Sequence, residues 1–250
     1  MDIFYYIITG ALVGFTVGVT GVGGGSLMTP ILLGFGFPIH TAVGTDLLYA
    51  GLTKTGGMIA HNKLKNVDWR IMALLTAGSL PAAALALAVL SSFESQQQYG
   101  LVLNAALGGM LIVTSGVILF RNKLRQLPVL HLPAHILLPV FGLVLGTSVA
   151  LSSVGAGAVT AALLMVLYPS LRTTRIIGTD IAHAVPLTLL AGAGHWYLGN
   201  VDFVLLGGLL IGSLPAIALG AKFSDHLPEK VIQPFLGVLL LAIGVKLVLS

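Results

Sequence analysis

Four blocks of this sequence occur twice, at one constant spacing. Gly44-Thr45-Asp46 returns as Gly178-Thr179-Asp180, and His61 returns as His195. Asn66-Val67-Asp68 returns as Asn200-Val201-Asp202, and Gly78-Ser79-Leu80-Pro81 as Gly212-Ser213-Leu214-Pro215, each copy 134 residues after the first. Chance does not hold four blocks in one register, so the chain reads as an internal duplication. Any fold it adopts is therefore built from two similar halves.

Composition places those halves in a bilayer. Charged residues make up 8% of the chain, against about 25% in soluble domains, and the mean hydropathy is +1.02. So few charges cannot cover a water-facing surface. The 32 glycines fit membrane helices, where small residues let backbones approach. The absence of cysteine excludes disulfides, thiolate metal sites and cysteine nucleophiles. The basic residues are scattered over short loops rather than gathered in a patch, which excludes a nucleic-acid surface. The N-terminal apolar run has Asp2 and no Lys or Arg before it, so it reads as a first helix and not as a cleaved signal peptide.

Ten apolar segments follow, at 3–20, 24–36, 41–60, 69–90, 100–120, 135–154, 157–168, 176–195, 203–221 and 231–249. Five fall in each half. The expected fold class is therefore an all-α polytopic membrane protein made of two five-helix repeats, residues 1–120 and 135–250, joined by a linker at 121–134. The second segment of each repeat is about a dozen residues long, short of the roughly 20 that a spanning helix needs, so both are expected to be partial crossings.

Ten of the twelve basic residues lie in four loops: Lys63, Lys65 and Arg70; Arg121, Lys123 and Arg125; Arg172 and Arg175; Lys222 and Lys230. By the positive-inside rule these loops face the cytoplasm, and both termini then lie on the periplasmic side. An odd number of segments per repeat inverts the second copy relative to the first, which places turn 66–68 inside and turn 200–202 outside. Inverted repeats with paired short, glycine-led segments are a ground plan of secondary transporters.

The candidate site follows from those segments. Gly21-Val22-Gly23-Gly24-Gly25-Ser26 precedes the first short segment, and Ser152-Ser153-Val154-Gly155-Ala156-Gly157 precedes the second. Glycines at a helix start expose backbone N–H groups, and the helix end adds a partial charge of about +0.5. Together these form an anion site without a cation; alternatively the glycines permit a tight hairpin. Gly23, Gly24, Gly25, Ser26, Thr45, Ser153, Gly155, Gly157 and Thr179 are the expected substrate-binding residues.

Asp46 and Asp180 are candidate proton acceptors or site-orienting residues; the other reading is a helix N-terminal acid or an interhelical clamp. Lys54, inside the third segment, either holds an anion or snorkels toward the cytoplasm; its repeat partner is Thr188. Arg175 is a topology signal or an anion attractor at a cavity mouth. Tyr49 and His183 occupy equivalent positions, three residues after the two aspartates and on the same helix face, and could donate to an oxyanion. His61 and His195, at helix ends, suit caps. No histidine shows metal-ligand spacing. There is no ATP-binding loop, no Gly-x-Ser-x-Gly and no His-Glu-x-x-His, so the reading is neither an ATPase nor an enzyme, and no cofactor is expected.

With Gly21-x-Gly23-Gly24-Gly25-x-x-x-x-Pro30-x-Leu32, Gly44-Thr45-Asp46 and the duplicated layout, the chain resembles the sulfite exporter TauE/SafE family over essentially its whole length. The second copy departs from the pattern, with Ala156 for Gly24 and Ala162 for Pro30. The resemblance implies a multi-pass transporter of the bacterial inner membrane that moves a small sulfur oxyanion, such as sulfite or a sulfonate like sulfoacetate. Export, and coupling to protons, are implied in the same way. A passive anion channel is the alternative, and a homo-oligomer is left open.

Overall fold

The computed structural model describes residues 3–20, 25–93, 95–124, 133–223 and 229–249. Among the described residues the chain is entirely helical. The first half forms α1 (Ile3–Thr20), α2 (Gly25–Gly34), α3 (Ile39–Lys63), α4 (Trp69–Ser91) and α5 (Gln96–Leu119). A single turn, α6 (Arg121–Leu124), leads to the second half. That half forms α7 (Ala134–Ser152), α8 (Ala158–Leu167), α9 (Thr173–Tyr197), α10 (Phe203–Phe223) and α11 (Glu229–Leu249). All ten expected segments are helices, with ends displaced by a few residues. The turn α6 was not expected, and Arg125 lies outside the described residues.

Among the described residues five helices are long and apolar enough to cross a membrane. Large apolar side chains such as Leu12, Leu85, Val140 and Val204 are exposed; in water they would form an aggregating surface, and in lipid they are at home. Trp69, Trp196 and Tyr197, exposed at helix ends, suit the aromatic belt at a membrane interface. The two short helices, α2 and α8, have ten residues each. At 1.5 Å per residue such a helix covers about 15 Å, half of a hydrocarbon core of about 30 Å.

The helices pair across the halves. The most extensive contacts are α1 on α10, α4 on α7, α3 on α9 and α5 on α11. Small residues set two of these crossings. A Cβ on Gly78 would strike the Pro139 carbonyl and approach the Leu143 amide, one on Gly142 would strike the Leu75 carbonyl, and one on Gly146 the Ser79 carbonyl. The same contacts recur in the α1–α10 pair. There Gly212 faces the Ile7 carbonyl and the Ala11 amide, Gly10 the Leu209 carbonyl, and Gly14 the backbone of Ser213. Gly78 and Gly212 are 134 residues apart, whereas Gly10 and Gly142, like Gly14 and Gly146, are 132 apart, a two-residue slip between the halves. The Gly-x-x-x-Gly spacing at 10–14 and 142–146 is the small-residue pattern of close membrane helices.

Candidate functional site

The duplicated sequence blocks meet at the crossing of α3 and α9, and most of them act as a clamp. Asp68 caps α4, its Oδ1 accepting from Ile71 N at 3.2 Å. Asp202 does the same for α10, accepting from Val204 N and Leu205 N at 2.9 Å. The backbone N–H of Asp68 donates to Thr179 Oγ1 at 2.9 Å, and that of Asp202 to Thr45 Oγ1 at 3.1 Å. A Cβ on Gly44 would strike the Asn200 carbonyl, and one on Gly178 the Asn66 carbonyl. Gly-Thr-Asp therefore returns with Asn-Val-Asp because each holds the other across the halves. Thr179 Oγ1 also donates to Arg175 O at 2.7 Å. The two threonine hydroxyls expected to hold substrate are thus engaged in the clamp.

Thr179→Val tests this assignment. The variant keeps the shape, removes the acceptor and leaves the Asp68 N–H without its partner. An unsatisfied buried donor costs about 1–3 kcal/mol, so a lower melting temperature is expected, and an unchanged one contradicts the clamp.

Asp46 and Asp180 lie beyond the clamp. Each is seven residues past the first residue of its helix, about two turns in. The dipole effect fades within the first turn, so it does not account for these acids. Asp46 is fully buried, and its Oδ2 accepts from Thr29 Oγ1 of α2 at 2.5 Å. Asp180 is buried beside the Thr160 hydroxyl of α8 and the Gly157 backbone. Each acid thus faces a threonine of its own repeat's short helix. Neither threonine stands out in the sequence, because Thr29 and Thr160 are not at matching positions.

The second glycine loop is built from unusual backbone. Ser153 is left-handed with φ of 60°, and Gly155 and Gly157 have φ of 124° and 138°, the latter a region that side chains avoid. Gly157 is the N-cap of α8. Into this loop comes Lys54 from α3 of the other half, its Nζ donating to Ala156 O at 3.0 Å. It therefore turns inward and does not snorkel along α3 to the cytoplasmic end. Lys54 is within electrostatic reach of both Asp180 and Asp46. In the first glycine loop, Gly23 and Gly24 lie outside the described residues, as does the side chain of Ser26; Gly25 opens α2.

Tyr49 and His183 are fully buried, and each lies beside a serine. His183 Nε2 is 2.9 Å from Ser79 Oγ, and Tyr49 lies beside Ser213, the repeat counterpart of Ser79. Several buried polar atoms here have no direct partner: Asp46 Oδ1, Asp180 Oδ1, Tyr49 OH, His183 Nδ1, Ser153 Oγ, Thr160 Oγ1 and Ser213 Oγ. Such atoms cost several kcal/mol each in an apolar medium. Their gathering near one Lys and two Asp marks a polar interior fitted to a solute or water. Among the described residues no group of acids and histidines is arranged to hold a metal.

Arg175 pairs with Asp68, Nη2 to Oδ2, at 3.1 Å, and so ties α9 to the turn before α4. His195 is buried and not a surface cap; its Nε2 is 2.8 Å from Ala150 O.

The sulfite exporter TauE/SafE family profile matches residues 6–247. The chain belongs to that family. The probable membrane transporter protein YjnA of Bacillus subtilis is 34% identical to it, over 97% of this chain and 98% of the relative. The probable membrane transporter protein YdhB of the same organism is 28% identical over 89% and 90%. The probable membrane transporter protein MJ0441 of Methanocaldococcus jannaschii is 28% identical over 97% and 94%. No solved structure matches. As a TauE/SafE protein with five helices suited to spanning, the chain is a multi-pass membrane transporter.

Proposed function

We propose that this chain is a secondary transporter of a small sulfur-containing oxyanion, either sulfite or an organosulfonate such as sulfoacetate. It works in the bacterial inner membrane in the export direction, with both termini periplasmic and the two halves (1–120 and 135–250, with the linker at 121–134) as inverted repeats. The observation that carries the reading is Lys54. It reaches from within α3 to the glycine loop that opens α8, where left-handed backbone and a helix N-terminus already favour an anion. Ser153, Gly155, Gly157 and the hydroxyl of Thr160 complete the proposed site on the described side. Gly23, Gly24, Gly25 and Ser26 would form its mirror.

Proton coupling follows from charge balance. One buried cation offsets one buried anion, and an uncompensated charge is costly. An arriving oxyanion therefore competes with Asp46 and Asp180 for Lys54, and a proton relieves the carboxylate that loses. Alternating access needs two moving bodies. Because α4 packs on α7 and α10 on α1, these bodies are not the two sequence halves. They are exchanged bundles, α1 with α10 and α4 with α7, moving about the α3–α9 pair.

Lys54→Met tests the site. Losing a charge-assisted hydrogen bond costs about 1.5–3 kcal/mol, equivalent to about a 10- to 100-fold rise in the half-saturation concentration for transport. An unchanged value in folded protein contradicts the site.

A further inference from the structure

The repeat symmetry breaks at the two ends of the α3–α9 pair. At one end the turn 66–68 is fastened by the Arg175–Asp68 ion pair. At the other, the position equivalent to Arg175 is Thr41. A pocket of about 190 Å³ opens there, at the end of α3 opposite Lys63. That is room for a solute larger than a single water.

Its lining has two characters. Leu90, Phe93 and Leu198 form an apolar wall, while His40, Tyr99 and Asn200 supply the polar side. Asn200 Nδ2 donates to the Tyr99 hydroxyl oxygen and contacts His195 Nδ1 at 3.2 Å. The other ring nitrogen, His195 Nε2, donates to Ala150 O. A carbonyl only accepts, so Nδ1 is left as the acceptor and both amide hydrogens of Asn200 are used. The Tyr99 phenol accepts from Asn200, and its own hydrogen is left to donate into the pocket. The His40 ring stands edge-on to Tyr99, with centroids 6.3 Å apart.

We propose that this pocket is an outer, release-side site for an oxyanion that carries a short carbon stem. Tyr99 and His40 donate to the anionic head, and Leu90, Phe93 and Leu198 cover the stem. The site deepens the transporter reading, and rests on it for the solute's destination. The side it opens to is the periplasmic one in the proposed topology. His195 connects it to Ala150, in the last turn of α7 before the glycine loop that Lys54 reaches, so the release-side site and the inner site share a hydrogen-bonded support.

The chain has no cysteine, so Ser95→Cys on the pocket lining introduces a single thiol. Its labelling rate by a membrane-impermeant thiosulfonate reagent is measured in proteoliposomes. Sulfoacetate at about five times its dissociation constant should slow labelling about sixfold by occupancy. Sulfate, an oxyanion without a stem, should leave the rate nearly unchanged. Malonate distinguishes the head groups, and protection by it supports the same site for carboxylates. Tyr99→Phe in the same background should remove the protection; His40→Ala serves if that variant does not fold. Absence of protection by sulfoacetate, equal protection by sulfate, or full protection in both variants would overturn the proposal. Labelling needs no transport. Protection without flux would leave the pocket standing and remove the transporter reading, whereas flux without protection would do the reverse.

Discussion

Replacing Asp46 with asparagine is expected to lower transport by about 100-fold or more while the protein still reaches the membrane and runs as a single species. Asparagine keeps the shape and still accepts from Thr29 Oγ1, which sits 2.5 Å from the native carboxylate, so α2 stays docked on α3. What disappears is the charge near Lys54. Lys54 then has one carboxylate fewer within electrostatic reach; a charge inside the bilayer costs about 2.5–3.5 kcal/mol, and each 1.4 kcal/mol is about tenfold in the population able to react. Asp46→Ala is the harsher variant, because it also leaves Thr29 without its acceptor, and a lower melting temperature should accompany its loss of transport. Normal flux in Asp46→Asn would reduce this acid to a helix-packing group.

Gly78→Ala should be among the most damaging single-methyl changes at the described glycines. Its Cβ would be driven into the carbonyl of Pro139 and toward the amide of Leu143, backbone atoms that cannot rotate away. Ordinary overpacking costs about 1–3 kcal/mol because side chains give; here α4 must separate from α7, and a larger penalty is expected. At about 2–4 °C per kcal/mol for a chain of this size, the midpoint of heat-induced loss of the monodisperse peak should fall by about 10 °C. Gly109→Ala is the control. Nothing lies within 4 Å of its added carbon, and alanine in a helix is favoured over glycine by about 0.5–1 kcal/mol. A midpoint equal in the two variants would contradict the packing of α4 on α7.

The helices were legible in the sequence because each is an unbroken apolar run, and the two short ones because glycine and proline bound them. Pairing between particular residues was less legible. The constant offset identified Gly-Thr-Asp and Asn-Val-Asp as equivalent in the two halves. Their identity as partners in one clamp needed the observation that Thr45 receives the Asp202 amide and Thr179 the Asp68 amide. Arg175 follows the same logic, since its partner Asp68 is 107 residues away. Lys54 was left between two readings because hydropathy along one helix says nothing about a loop from the other half. Thr29 and Thr160 were invisible for a different reason. Single threonines in apolar helices usually bond back to their own backbone, as Thr53 and Thr55 do, and only the neighbouring aspartates distinguish these two.

Counterflow in proteoliposomes tests the central claim most directly. Vesicles loaded with unlabelled sulfoacetate, or with sulfite, are diluted into a trace of the labelled anion, with and without a proton gradient. A transporter that exposes the Lys54 site to one side at a time should accumulate label transiently above its equilibrium level. The accumulation should saturate with concentration, respond to the gradient and weaken in Lys54→Met. Monotonic, unsaturable equilibration, unchanged in that variant, would contradict alternating access at this site and identify a passive anion channel instead.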